Sequence, residues 1–436
     1  MSHIEDVYLG RWVDPRTGLP GPRAAVERIV IADDLDGAED DLLTEIGLAS
    51  DVTLVADPNT WDALGTRVAA TLRRTGRTVG EVLLESGPHA TVRAADALAA
   101  RLVGAEAIVA VGSGTVNDLV KYVTAQDGRE YAVFGTAASM DGYASTTASM
   151  GLESGLKVSL PAHSPKGVFL DIGVMAAAPA RSNAAGFGDC LCTSVARIDW
   201  WMSHRLFGGY YEEAPYLIAE PDAGELDSRA ACVGACDHVA TGYLTRALVL
   251  SGLGVGFTGV SNHGSMGEHQ ISHYIDCFAQ GRHPGTLHGQ QVGLATLTMG
   301  RIQQWFLAQD RPPEIRPTQM DLVDMSRRMG AEIAAQCAVE YARKALDADR
   351  AAQLNARLAE IWDDLRAELA PWVDTVADMT ARLAAAGGAT TAGDLGLPVE
   401  FYREAVRHAH EMRNRFSFVD LACDAGLLDD FAAAEV

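Results

Sequence analysis

Six short runs rich in Val, Ile and Leu punctuate the first 172 residues: RIVIA (28–32), DVTLVA (51–56), EVLLES (81–86), AIVAVG (107–112), EYAVFG (130–135) and GVFLDI (167–172). Between most of them lie stretches such as Trp61 to Arg74 and Ala90 to Leu102, whose apolar residues fall three or four apart, as on one face of a helix. Strands that alternate with helices specify a parallel sheet with helices packed on its faces. After about Pro179 the texture changes to Ala-, Leu- and Arg-rich helical segments, with strand-like runs almost absent. The pattern therefore predicts an α/β Rossmann-like domain over residues 1–180 and an all-α domain over residues 181–436.

Charge narrows the function. With 35 basic against 58 acidic residues, the formal net charge is -23. Such a surface repels phosphate backbones and anionic lipid, which excludes nucleic-acid and membrane-surface binding as the main task. An anionic substrate would need a local basic or backbone N–H pocket. Seven Cys without repeating spacing point to a reducing, cytoplasmic setting, and Cys232-x3-Cys236 reads as two buried helix residues. The segment MSHIEDVYLGRWVDPRTG is acidic early and lacks the basic region and apolar core of a secretory signal. The longest uncharged stretch, Ala247 to Gly267, is interrupted by six glycines, which predicts a buried helix and a site loop rather than a membrane span.

AIVAVGSGTVNDLVKYV reads as strand, glycine turn and helix, with Gly112, Ser113, Gly114, Thr115 and Val116 at the strand's carboxyl end. Glycine there lets backbone approach a diphosphate, whose charge the first N–H groups of the helix receive. A lone GSG also joins strands to helices with no ligand, and the full GxGxxG pattern is absent. Asp57 ends an upstream strand, where it is either a ribose acceptor or a turn residue with Thr60 capping the next helix. Asp141 lies in the loop FGTAASMDGYAST, either at the ligand edge of the sheet or in an ordinary Asp-Gly turn.

GFGDCLC (186–192) opens what reads as a helix bearing Asp189. Farther on, His263, His269, His273, His283 and His288 fall within 26 positions. His269 and His273, four apart, share one helix face, and one Asp with two or three His suits zinc, nickel or ferrous iron. Cys190 and Cys192 offer a competing thiolate set, and solvated or backbone-bonded histidines are the plain alternative.

In order along the chain, GSGTVND, FGTAASMDGYAS, AGFGD, GEHQISH, LHGQQVG and RNRFSFVDLACDAGLL resemble the sn-glycerol-1-phosphate dehydrogenases of the bacterial kind. These lie within the iron-containing alcohol dehydrogenase and dehydroquinate-synthase-like superfamily, and the resemblance runs from about Val30 to Phe431. It implies NAD(H)- or NADP(H)-dependent reduction of dihydroxyacetone phosphate, one divalent metal, and a homodimer or larger oligomer. It further implies Asp189, His269 and His288 as metal ligands, and Asp141, His273 and Asp189 at the substrate, with Asp189 and His273 catalytic. Asp57, Gly112 to Val116, Thr136, Ala137, Ala138, Ser139 and Ser145 are the implied dinucleotide contacts. Where the family usually shows a run like R-P-A-S-G ahead of Glu-His, this chain reads Asn262, His263, Gly264, Ser265, Met266.

Two other readings share the fold. A dehydroquinate-synthase-like lyase or cyclase with bound NAD needs several basic residues around a phosphate, for which the chain offers Lys121, Lys157 and Arg282. A dehydrogenase of a different small hydroxyketone keeps the site and changes the substrate. A non-catalytic binding protein is disfavoured, since a decayed site should have lost at least one of Asp189, His269 and His288.

Overall fold

The computed structural model describes residues 3–279, 281 and 285–436. Among the described residues eight strands form: β1 (Arg28–Ala32), β2 (Asp51–Ala56), β3 (Thr78–Leu83), β4 (Ala107–Gly112), β5 (Tyr131–Gly135), β6 (Thr147–Gly151), β7 (Lys157–Pro161) and β8 (Gly167–Asp171). Six make one sheet in the order β1-β8-β5-β4-β2-β3, with every neighbour parallel. β4, β5 and β8 are buried at every position, as strands covered by helices on both faces must be. Val52, Leu54, Val109, Val111, Phe134 and Phe169 build the core on one side. β6 and β7 form a separate antiparallel hairpin that the sequence pattern did not announce.

Five helices frame the sites: α1 (Gly114–Asp127), α2 (Ala180–Leu191), α3 (His238–Thr258), α4 (Gly267–Phe278) and α5 (His288–Leu307). Among the described residues no strand follows Asp171. Asp189 sits near the end of α2 rather than at a helix start, because the helix already begins at Ala180. The chain divides into two compact units, Met1–Gly186 with Glu213–Ser261, and Phe187–Glu212 with Asn262–Val436. A single division near residue 180 thus leaves out a return of the chain to the first unit. The return centres on α3, which buries Leu244, Leu248, Leu250 and Leu253. By length and composition α3 would also suit a bilayer, but 67% of its apolar window is buried inside the protein.

The cysteine pair reads differently in three dimensions. Cys232 is exposed on the helix Ala230–Gly234, and Cys236 lies beyond it at φ 55°, where the backbone turns left-handed. The short helix turns Ala230 and Val233 inward instead, and it ends at Gly234, which leaves Cys236 outside it and half-buried.

Candidate functional site

In the first unit, pairing register lines up three strand ends. Val55 pairs with Ala110, and Gly112 with Gly135. Asp57, the Gly112 to Val116 turn and the Thr136 to Ser139 loop therefore leave the carboxyl edge of three adjacent strands, where open α/β sheets bind ligands. Ser113 precedes α1 without a side-chain cap bond, so no capping side chain covers the helix's positive end. A Cβ on Gly114 would lie 2.9 Å from Met140 Cγ. The immediate reason for glycine is thus contact with the following loop. The Tyr143 hydroxyl ties the same two segments together, donating to Gly112 O at 3.2 Å and Ala137 O at 3.0 Å. Thr136, Ala137 and Ala138 are buried, and Ser139 is half-buried.

Asp57, not Thr60, caps the helix after β2. Its Oδ1 accepts from the N–H groups of Asn59 at 2.8 Å and Thr60 at 3.1 Å. Asp141 is held by α3, with Ser251 Oγ donating to Oδ2 at 2.7 Å. The loop around it hangs on Lys121, which is fully buried and donates to Gly142 O, Ser145 Oγ at 2.9 Å and Thr147 O at 3.1 Å. Burial pushes the Lys121 pKa down, opposed by the Asp118 carboxylate. Lys121 is therefore enclosed and committed to the loop. The Ser145 hydroxyl is committed to the same frame, bonded to Lys121 and to backbone oxygens at 3.0 Å.

In the second unit, ligand atoms of Asp189, His269 and His288 all lie within 4.8 Å of one another. His269 Nε2 is 3.8 Å from Asp189 Oδ1, while its Nδ1 is 2.9 Å from Glu268 Oε1. The ring centroids of His269 and His288 stand 5.0 Å apart. His273 lies farther off, 6.4 Å from His269 and 6.1 Å from His288, and is 4% exposed. Backbone packing makes the cluster possible: a Cβ on Gly188 would lie 2.3 Å from Gly289 O, so α2 and α5 meet beside Asp189 and His288. One carboxylate and two imidazoles, largely buried, fit a zinc, nickel or ferrous ion and leave coordination positions open. Cys192, Glu268 and His269 form a second close group, but the Cys192 thiol donates to Asp189 O at 3.0 Å and Gly264 O at 3.3 Å.

Sequence spacing overlooked several supporting groups. Asp199 accepts from Gly267 N at 3.1 Å, Gln303 Nε2 at 3.0 Å and Phe418 N at 3.1 Å, which fixes the start of α4. Burial, with Glu268 nearby, pushes its carboxyl up to about 8. Arg413 Nη1 donates to Ser265 Oγ at 3.1 Å, and Arg415 Nη1 to Ser265 O. Both arginines belong to RNRF, a segment quoted above without a role. His263 is buried in the short turn Asn262–Gly264, and Met266 is buried just before α4. His283 and Arg282 lie outside the described residues.

The pattern of the iron-containing alcohol dehydrogenase family matches residues 30–179. A protein of Halalkalibacterium halodurans named glycerol-1-phosphate dehydrogenase, NAD(P)+, is 28% identical over 373 residues, spanning 84% of each chain. Its namesake in Methanoculleus marisnigri is 34% identical over 256 residues, 58% of this chain and 69% of that protein. Among solved structures, glycerol dehydrogenase of Schizosaccharomyces pombe shares the fold with a TM-score of 0.62 at 19% identity, covering 95% of this chain and 91% of that one. Sulfoacetaldehyde reductase of Bifidobacterium kashiwanohense, solved with NAD+, gives 0.59 at 15% identity, covering 96% and 100%. With that identity across more than two thirds of the Methanoculleus protein, the chain belongs to the glycerol-1-phosphate dehydrogenase family, within the iron-containing alcohol dehydrogenases.

Proposed function

We propose that this protein is an NAD(P)-dependent, divalent-metal-dependent dehydrogenase that interconverts dihydroxyacetone phosphate and sn-glycerol 1-phosphate or a closely related polyol phosphate. The observation that carries the reading is the close group of Asp189, His269 and His288, with His273 beside it. The relatives' names supply the substrate class.

Asp189, His269 and His288 would hold a divalent ion, which when bound would offer a Lewis acid to the carbonyl oxygen, and the reduced nicotinamide would supply the hydride. His273 gives a ring proton to that oxygen in reduction and recovers it in oxidation. The burial of His269 and His273 keeps bulk water from that proton. Asp141, braced by Ser251, accepts a substrate hydroxyl. Asp57, the Gly112 to Val116 turn and the Thr136 to Ser139 loop hold the dinucleotide, with Ser145 keeping the Asp141 loop in shape. Arg413 and Arg415, gathered on Ser265, offer positive charge at the run where the family usually carries an arginine. A homodimer or larger oligomer accords with the family.

The lyase reading loses one of its basic residues, because Lys121 is enclosed by its own loop. The deciding experiment is NADH and NADPH oxidation by metal-reconstituted protein against phosphorylated and free hydroxyketones. Turnover of the phosphorylated ketones supports the proposal. Consumption of a phosphorylated sugar acid with no net change in NADH would favour the lyase instead.

A further inference from the structure

The two nitrogens of His288 meet different surroundings. Nδ1 lies 3.0 Å from Ser272 Oγ and 3.8 Å from Asp276 Oδ2. Ser272 follows His269 by three positions on α4, and Gln291 follows His288 by three on α5, so each stands about one turn beyond a candidate ligand. The Ser272 hydroxyl carries a single proton, and it is 2.9 Å from Gln291 Oε1. In this orientation Gln291 Nε2 donates to Thr286 Oγ1 at 3.2 Å, and its amide oxygen faces Ser272. An amide oxygen only accepts, so the Ser272 proton goes to Gln291. Ser272 is then left to accept, and His288 Nδ1 must carry the hydrogen. A neutral imidazole with Nδ1–H has its lone pair on Nε2, the nitrogen a metal would take.

Were the amide turned, Ser272 would donate to Nδ1 and Nε2 would hold the hydrogen, which blocks ligation. His269 reaches the same tautomer by another route, through the Glu268 carboxylate at 2.9 Å. The two imidazoles are thus prepared by unlike partners, one anionic and one a neutral hydroxyl–amide relay that bolts α4 to α5.

We propose that Ser272 and Gln291 are positioning residues that set His288 in the Nδ1–H tautomer before metal binds. The proposal rests on the reading of Asp189, His269 and His288 as the ligand set. It is tested on metal-free, full-length protein labelled with 15N-histidine, with the His288 signals assigned by His288→Asn and the protonated nitrogen read from long-range 1H–15N spectra. The expected wild-type result is Nδ1–H. Ser272→Ala and Gln291→Met should each admit the Nε2–H form and weaken zinc binding, measured by chelator competition, by about 10- to 100-fold. Ser272→Thr should restore both readouts. Nε2–H in the wild type, or zinc affinity of both variants within about twofold of wild type, would overturn the proposal. Asp189→Ala separates the two levels of the argument. Zinc retained in that variant, with His288 still Nδ1–H, overturns the ligand set and leaves the tautomer assignment standing.

Discussion

The His269 and His288 rings meet edge to face, with centroids 5.0 Å apart and planes at 64°, although one belongs to the first turn of α4 and the other to the first residue of α5. His273, on the same helix as His269, is farther from it at 6.4 Å. A helical i, i+4 pair is spread along the helix axis, whereas a ring arriving from a second helix approaches from the side. That difference favours His288 over His273 as the partner of His269 in the proposed ligand set.

Protein purified without chelator should carry about one divalent ion per chain, because the ligands define one mononuclear site. Asp189→Ala and His288→Ala should both lose it, as read by elemental analysis. Full occupancy in both variants would return attention to His273 and Cys192.

Gly114→Val should weaken NAD(H) binding by about tenfold or more, equivalent to ~1.4 kcal/mol. The new side chain collides with Met140, whose Cγ is 2.9 Å from the Cβ position, and pushes the Thr136 to Ser139 loop away from the turn. Fluorescence titration of NADH on a variant with unaltered melting temperature checks this. Unchanged affinity would remove the loop from the cofactor site.

His273→Ala should keep its metal and lose turnover by about 10²- to 10⁴-fold, the contribution of a positioned acid or base. His269→Ala should lose metal and turnover together. If His273→Ala strips the metal, His273 is itself a ligand, and normal turnover in that variant would make its place structural.

Acid should loosen the second unit through His410. Burial, the largest influence, drives its pKa down to about 3, with Glu411 pulling the other way and Lys344, His408 and Arg328 reinforcing the drop. Unfolding returns the ring to about 6.5, so below that pH the unfolded chain binds the proton first. The stabilisation is therefore complete above about 6.5 and is lost as pH falls toward 3. His410→Gln should flatten the decline in urea midpoint between about pH 6.5 and 4. An unaltered slope would assign the acid sensitivity to other groups.

The strands most legible in the sequence were those buried on both faces. AIVAVG forms at 107–112, and EYAVFG and GVFLDI form to within one residue, at 131–135 and 167–171. At the sheet edge the reading slipped: EVLLES was expected at 81–86, but β3 runs Thr78–Leu83, since its register is set by pairing with Asp51–Ala56 rather than by its own apolar residues. The strands of the β6–β7 hairpin, TASMG and KVSLP, are only five residues each, too short a run for their alternation to show. Spacing singled out His269 and His273 as a pair, whereas His288, one of the clustered histidines, was assigned as a ligand only through the resemblance. Arg413, Asp199, Ser272 and Gln291 were not assigned roles because their partners are distant in sequence, and no local pattern encodes such contacts. The excursion Glu213–Ser261 was hidden for the same reason.

On the proposed function, this chain reduces a phosphorylated hydroxyketone with NAD(P)H at a site that requires Asp189, His269 and His288 to hold a divalent ion. That reading is tested most directly by steady-state reduction of dihydroxyacetone phosphate by one preparation, stripped by chelator and then titrated with zinc, nickel or ferrous iron. The account predicts that turnover vanishes on stripping and returns in proportion to about one equivalent of one of these ions per chain. Full turnover by the stripped protein would contradict it.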